Sequence, residues 1–172
     1  MELGYSGIAY NLSIRGIMSD SDRCTIHHFP LSSLLKLAPS LSTSIKFHRN
    51  LLRVPPDVPF RQYTRLTVTV DNIIHAAALN SGNPVLKTYD LVAVKPLNQA
   101  AFDQACKMLV DWTQGKNIII SSAAATANEL RGPNDVANLS VLLGLSMEKA
   151  KAAISKNCRL AALCCTSVGT KY

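Results

Sequence analysis

Histidine is scarce in this chain, at His27, His28, His48 and His75 only, and the sequence holds no C-x-x-C pair, no G-x-G-x-x-G run and no Walker phosphate loop. A metal-dependent hydrolase on a barrel scaffold needs histidine and carboxylate side chains gathered over the strand ends. The adjacent rings of His27 and His28 would point to opposite faces of an extended chain, so they do not readily share an ion, and no metal site is expected. His75 stands among alanines on an expected helix and reads as a packed or surface side chain rather than a ligand. Covalent catalysis lacks support too: Ser121 and Ser122 have no histidine near them in sequence to serve as a base, although distant partners stay open. Without the glycine patterns, a nucleotide-fuelled enzyme has no positive signal, and no cofactor is expected.

Acid is the second shortage. Eighteen Lys+Arg face eleven Asp+Glu, a net charge of +7. Such an excess favours polyanionic partners, nucleic acid first and acidic protein or membrane surface second. The five cysteines, Cys24, Cys106, Cys158, Cys164 and Cys165, are odd in number and lack framework spacing. A disulfide scaffold is therefore not expected, and the chain reads as intracellular and reduced. No apolar run approaches the roughly 20 residues that cross a bilayer. The start Met1-Glu2-Leu3-Gly4 also lacks a basic segment followed by an apolar one. What is present is 48% hydrophobic composition over 172 residues, enough for one domain with a core.

Periodicity divides the chain into strands and helices. Tyr5 to Tyr10 is short, apolar and partly aromatic, a strand, and Ser19 to Arg23 is a polar loop. Pro30 to Ala38 carries Leu31, Leu34, Leu35 and Ala38 at helical spacing and should stop before Pro39. Arg65 to Asp71 alternates Leu66, Val68 and Val70 with threonines, the period of a strand. Asn72 to Leu79 reads as a capped helix ending before Asn80-Ser81-Gly82. Asp90 to Lys95 is a nearly continuous apolar run, the pattern of a strand covered on both faces. Asn98 should cap a helix bearing Phe102, Ala105, Cys106, Leu109 and Val110, with Gly115 beyond its end. Lys116 to Ser122, with three isoleucines in a row, should return as a strand. Pro133 fits the first position of a helix whose buried stripe is Val136, Leu139, Leu142 and Leu143, and Ser146 should cap a second helix turned inward through Ala150, Ala153 and Ile154. A last strand is expected from Arg159 to Cys165, and then a frayed tail. Strand, helix, strand in succession favours parallel β/α units.

Two stretches carry the candidate chemistry. From Lys116 to Arg159 an apolar strand leads into Glu129-Leu130-Arg131-Gly132-Pro133 and two capped helices. Helix N-terminal N–H groups attract phosphate, and an arginine beside them adds a planar fork for its oxygens. Arg131 is the sharpest residue, with Lys116, Ser121, Ser122 and Arg159 at strand or helix ends. A structural pairing of Arg131 with Glu129 or Asp135 is the alternative, because the same fork fits a carboxylate. The second stretch, Lys46 to Arg65, sets Arg49, Arg53, Arg61 and Arg65 against the single acid Asp57, with Phe47, Phe60, Tyr63 and three prolines between. It reads as a basic loop that tracks phosphates and offers rings for stacking, or else as a solvated connection whose rings tuck into the core.

The string Lys116-Asn117-Ile118-Ile119-Ile120-Ser121-Ser122-Ala123, followed in order by Glu129 to Pro133, Asp135-Val136, Asn138-Leu139, Gly144-Leu145-Ser146 and Asn157-Cys158-Arg159, resembles the p-thirty protein subunit of ribonuclease P and ribonuclease MRP. Met1 to Tyr5, Thr64 to Val70 and Tyr89 to Lys95 resemble the green-plant form, so the likeness spans most of Met1 to Arg159. The resemblance implies an α/β fold, a TIM-like barrel related to the polymerase and histidinol phosphatase phosphoesterases but without their metal-dependent activity. It implies RNA binding beside a Pop-five-type partner subunit and other particle proteins in a nuclear, nucleolar ribonucleoprotein that matures precursor tRNA and ribosomal RNA, where the RNA performs the chemistry. A metal-dependent phosphoesterase on the same scaffold, or a truncated form without independent function, are the alternatives.

Three departures from the family pattern shape the expected structure. The family's opening strand would precede Met1, several strand and helix units are absent between Met108 and Leu109, and residues 160–172 do not match. A complete barrel of this kind takes roughly 250 residues. The expectation is therefore a single shortened domain over 1–172: an incomplete barrel with a hybrid helix across the Met108-Leu109 join, its apolar stripe preserved.

Overall fold

Alternation of burial from Gln62 to Val70 decides the sheet. Leu66, Val68 and Val70 are fully buried, while Arg65 before them and Thr67 and Thr69 between them are half-buried, so one face of this strand meets a core and the other meets polar surroundings. In the computed structural model, which describes residues 7–54, 57–80, 82–121 and 126–158, it is the central strand of three. β1 (Gly7–Arg15), β2 (Arg61–Val70) and β3 (Leu91–Pro96) lie in the order β1-β2-β3, and both pairings are parallel. Among the described residues the sheet is open: the outer edges of β1 and β3 pair with no further strand.

The helices are α1 (Leu31–Leu37), α2 (Ser42–Leu52), α3 (Ile73–Ala77), α4 (Gln99–Thr113), α5 (Pro133–Leu142) and α6 (Met147–Ala153). Asn72 caps α3 by accepting from the His75 N–H at 2.9 Å, and Asn98 caps α4 by accepting from the Ala101 N–H at 2.8 Å. Both caps satisfy donors that a helix start leaves without partners. The main core joins Leu66, Val68 and Val70 to Ala76 and Leu79 of the α3 region, to Val85, Leu86 and Tyr89, and to Ala101 and Ala105 of α4. A second, smaller cluster joins Ala137 of α5, Leu145 and Ala150 of α6, with Val110, Ile118, Ile120 and Ile154 around it. α4 serves both, since Met108 and Trp112 pack on the first cluster and Val110 on the second.

The strand core, both Asn caps, α1 and the Ser146 cap follow the sequence pattern. Other expectations change. The first strand runs on to Arg15, well past Tyr10, and its expected first residues Tyr5 and Ser6 lie outside the described residues. The basic stretch 46–65 is not one loop. Buried Ile45 anchors α2 through Leu52, Arg53 closes it in the left-handed conformation at φ +51, and β2 begins at Arg61. β3 is not covered on both faces, because it lies at a sheet edge where Val92 stays 36% exposed.

The described part of Lys116 to Ser122 forms no strand. Asn117 turns the backbone at φ +57, and the groups a ladder would use are taken by α6 and its continuation: the Asn157 side chain donates to the Ile118 carbonyl at 2.8 Å and the Ile120 N–H to the Ala153 carbonyl at 3.2 Å. On α5 the buried positions are Ala137 and Ser140, whereas Leu139 is exposed and Leu142 is 84% exposed. Small residues let α6 approach through Ala150, and this close packing turns the two leucines outward. The expected strand Arg159 to Cys165 and the tail lie outside the described residues.

Candidate nucleic-acid interface

The segment after α4 is positioned by a tight reversal. Gln114 and Gly115 both take positive φ, and the Lys149 ammonium of α6 donates to the Gln114 carbonyl at 2.6 Å, placing a cation at the negative end of α4. Lys116 leaves this turn exposed, its N–H bound to the Thr113 carbonyl at 2.9 Å. The chain then passes through Ile118 to Ile120 against the second cluster and reaches Ser121, which is exposed. Ser122 and Arg159 lie outside the described residues.

Arg131 stands one residue before Gly132, which starts α5 with Pro133 in its first turn and no side chain capping the free N–H groups. Its side chain is exposed and makes no ion pair among the described residues. Glu129, one of the two expected carboxylate partners, accepts from the Thr126 hydroxyl at 3.1 Å. The exposed guanidinium stands beside an uncapped helix start, which favours anions, while Asp135 adds a carboxylate to the same first turn.

The four arginines of the basic stretch separate. Arg49 is half-buried on the last turn of α2 and Arg53 is exposed just past it, on the same helix as Lys46 and an exposed Phe47. The Phe47 ring meets His48 edge-on at 5.6 Å. Arg61 is only 9% exposed, at the start of β2. Arg65 lies on the half-buried polar face of β2.

A cluster at the C-terminal ends of the strands went unread in the sequence. Arg15, the last residue of β1, donates to the Asp71 carboxylate at 3.3 Å, His75 Nδ1 contacts the other oxygen of Asp71, and the Asn98 amide donates to the Asp71 carbonyl at 3.0 Å. Burial raises the Asp71 carboxyl, but the Arg15 hydrogen bond with the attraction of His75 and Arg15 outweighs it and holds the group below its ordinary range. Gly16, at φ +89, leaves room for the imidazole, since a Cβ there would stand 3.3 Å from Nε2. The available signal was Asp71 and His75 four apart across a strand-to-helix junction. Arg15 carries no such signal, because the unbroken apolar run of the first strand stops at Tyr10. Among the described residues no three His, Cys, Asp or Glu side chains gather as metal donors, and no helix is long and apolar enough to cross a membrane.

Residues 107–166 match the family model described as RNase P subunit p30. This region is similar to the p30 family. The match opens inside α4 and takes in Lys116, Arg131, α5 and α6. The chain is 48% identical to Protein GAMETOPHYTE DEFECTIVE 1 of Arabidopsis thaliana over 92% of its own length and 37% of that protein. It is 31% identical to the Ribonuclease P protein subunit p30 of Mus musculus, over 59% of each chain. It is 24% identical to the Ribonuclease P protein subunit drpp30 of Dictyostelium discoideum, over 93% of this chain and 57% of that one. The chain thus spans between about a third and three fifths of the curated relatives it matches. The plant alignment runs over 215 residues against 172 here, so that relative carries positions within the aligned span that this chain lacks.

Proposed function

We propose that this p30-family chain is a non-catalytic, RNA-binding protein subunit of ribonuclease P and ribonuclease MRP, supporting tRNA 5′-end maturation and rRNA processing. The observation that carries the reading is the exposed Arg131, without an ion pair among the described residues, beside the uncapped start of α5 within the p30 segment. Lys116 and Ser121 are exposed in the same segment and supply further polar contacts, and Ser122 and Arg159 complete the set proposed from the sequence. Elsewhere in the chain Arg49 and Arg53, with Lys46 and Phe47, give α2 a cationic and aromatic end.

Three parallel strands in sequential order, with α3 and α4 packed on one face, are what consecutive units of a barrel present. They support reading the fold as an incomplete TIM-like barrel of the polymerase and histidinol phosphatase type. Its partners would be the particle RNA, a Pop-five-type subunit and other particle proteins, with precursor tRNA met indirectly, in the nucleus and its nucleolus. In this reading the RNA cuts the phosphodiester and the protein neutralises and positions it.

Titration of ribonuclease P RNA with the purified chain tests the assignment. Arg131→Ala should weaken binding and lower the magnitude of the log-log salt slope by about 0.7–0.9, the worth of one phosphate contact. An unchanged slope removes Arg131 from the interface. A wild-type chain that ignores structured RNA at low ionic strength defeats the RNA-binding role altogether.

A further inference from the structure

The face of the sheet opposite the core has its own chemistry. Strand partners in register share a face, so the pairings Arg15 with Thr69 and Thr69 with Lys95 lay a row of cation, hydroxyl and cation across the three strands. The next row toward the strand starts is Ser13, Thr67 and Ala93, and the one after it is Asn11, Arg65 and Leu91. Arg15 and Lys95 are thereby about 10 Å apart, two strand spacings, and Arg65 lies about 13 Å from their row, four strand residues back. The three cations enclose a shallow floor of small hydroxyl-bearing side chains, where the Thr67 hydroxyl donates to the Asn11 amide oxygen at 2.6 Å.

Among the described residues, Arg15 is the one cation of this face with a counter-charge. None of the strand positions that share it is acidic. Asp71, just beyond β2, is taken by Arg15, whereas Arg65 and Lys95 make no ion pair among the described residues. Asn11, Ser13, Arg15 and Lys95 are exposed, and the helices of the main core lie on the Leu66 side. An apolar layer laid over the face would strand Arg65 and Lys95 without counter-charge, a costly burial. Barrel interiors, by contrast, are filled with bulky branched side chains. A polyanion supplies what the face lacks, and Tyr63, half-buried on the same side, adds a ring.

We propose that this open sheet face, through Arg65 and Lys95 with Arg15 at its rim, binds the phosphodiester backbone of single-stranded RNA. The site is separate from the Arg131 region and rests on the RNA-binding reading given above. Hydroxyl and amide groups between the cations donate to phosphate oxygens, and the width of three strands suits an unpaired strand better than a duplex.

The test is fluorescence titration of the full chain with a short labelled polyuridylate across a range of salt, beside photocrosslinking of the same RNA carrying thiouridine. The double variant R65Q/K95Q, which alters only side chains on the uncovered face, should lower the magnitude of the salt slope by about 1.4, the worth of two single-strand phosphate contacts. R131Q should leave polyuridylate crosslinks to the β1 and β2 peptides in place. Crosslinks confined to residues 107–158, with an unchanged slope in R65Q/K95Q, overturn the sheet site while leaving RNA binding standing. Binding of polyglutamate through Arg65 and Lys95 in place of polyuridylate overturns it in favour of an acidic protein. Should the double variant lose its far-ultraviolet dichroism, the wild-type crosslink map decides, and absence of crosslinks in β1 and β2 sinks the proposal. A wild-type chain that binds neither polyuridylate nor structured RNA overturns both this site and the function it rests on.

Discussion

Asp71 shows how much a single side chain organises at the rim of the sheet. It ties the end of β1 to the start of α3 through Arg15 and His75, and its carbonyl receives the Asn98 amide that also caps α4. Its carboxyl group titrates lower in the folded chain than its ordinary value of 3.8. The unfolded chain therefore binds the proton more readily, and the stabilisation from Asp71 is fully present above that value and lost as pH falls through the lower, folded one. Acid titration of urea midpoints should show stability declining from about pH 4 downward, with a shallower decline in Asp71→Asn. Identical profiles for the two proteins would mean that the cluster contributes nothing to the pH dependence. Arg61 makes the opposite point at this scale. Its charge suggested a surface role, yet it begins a strand whose first residues are buried, and composition carries no information on that.

At the scale of elements, the turn from α4 into the Ile118 segment is the most constrained. A Cβ on Gly115 would come within 2.8 Å of the Lys149 side chain and 2.9 Å of Leu145, at φ +69. Gly115→Ala should cost more than about 1 kcal/mol, combining left-handed strain with a clash at the second cluster, and chemical denaturation would read it out. A midpoint equal to wild type would show that the reversal tolerates a side chain. Elements with local signals were legible: Leu66, Val68 and Val70 marked β2, and Asn72, Asn98 and Ser146 marked helix starts whose side chains do accept the expected N–H groups. Elements set by tertiary partners were not. Ile118 to Ile120 has strand composition, but Asn157 and Ala153 claim its backbone. Leu139 and Leu142 have helical spacing, but the small residues Ala137 and Ser140 set which side of α5 meets α6. Of the candidate site, Arg131 was legible from the Gly-Pro after it, whereas the row across Arg15, Thr69 and Lys95 exists only once three distant strands are in register.

For the whole molecule, the open sheet has energetic consequences. Ile8 and Leu12 on one edge strand and Val92 on the other stay exposed on the side that carries the core, and the outer backbone groups of both strands meet no described partner strand. Edges of this kind exchange and associate more readily than closed ones. Amide exchange should be slowest in Leu66 to Val70 and markedly faster in the alternate amides of β1 and β3 that face outward. Protection of those outward amides equal to that of β2 would require a cover over the edges. The segment that matches the family model and the sheet that precedes it are not independent in this respect, since both clusters draw on one helix.

That shared helix sets a limit on dissection. The family match begins at residue 107, in the middle of α4, with Ala101 and Ala105 before the boundary and Met108, Val110 and Trp112 after it. Scission there would halve a continuous rod and leave each product with a raw apolar seam that only the other can close. The modular unit of this chain is therefore larger than its most recognisable stretch.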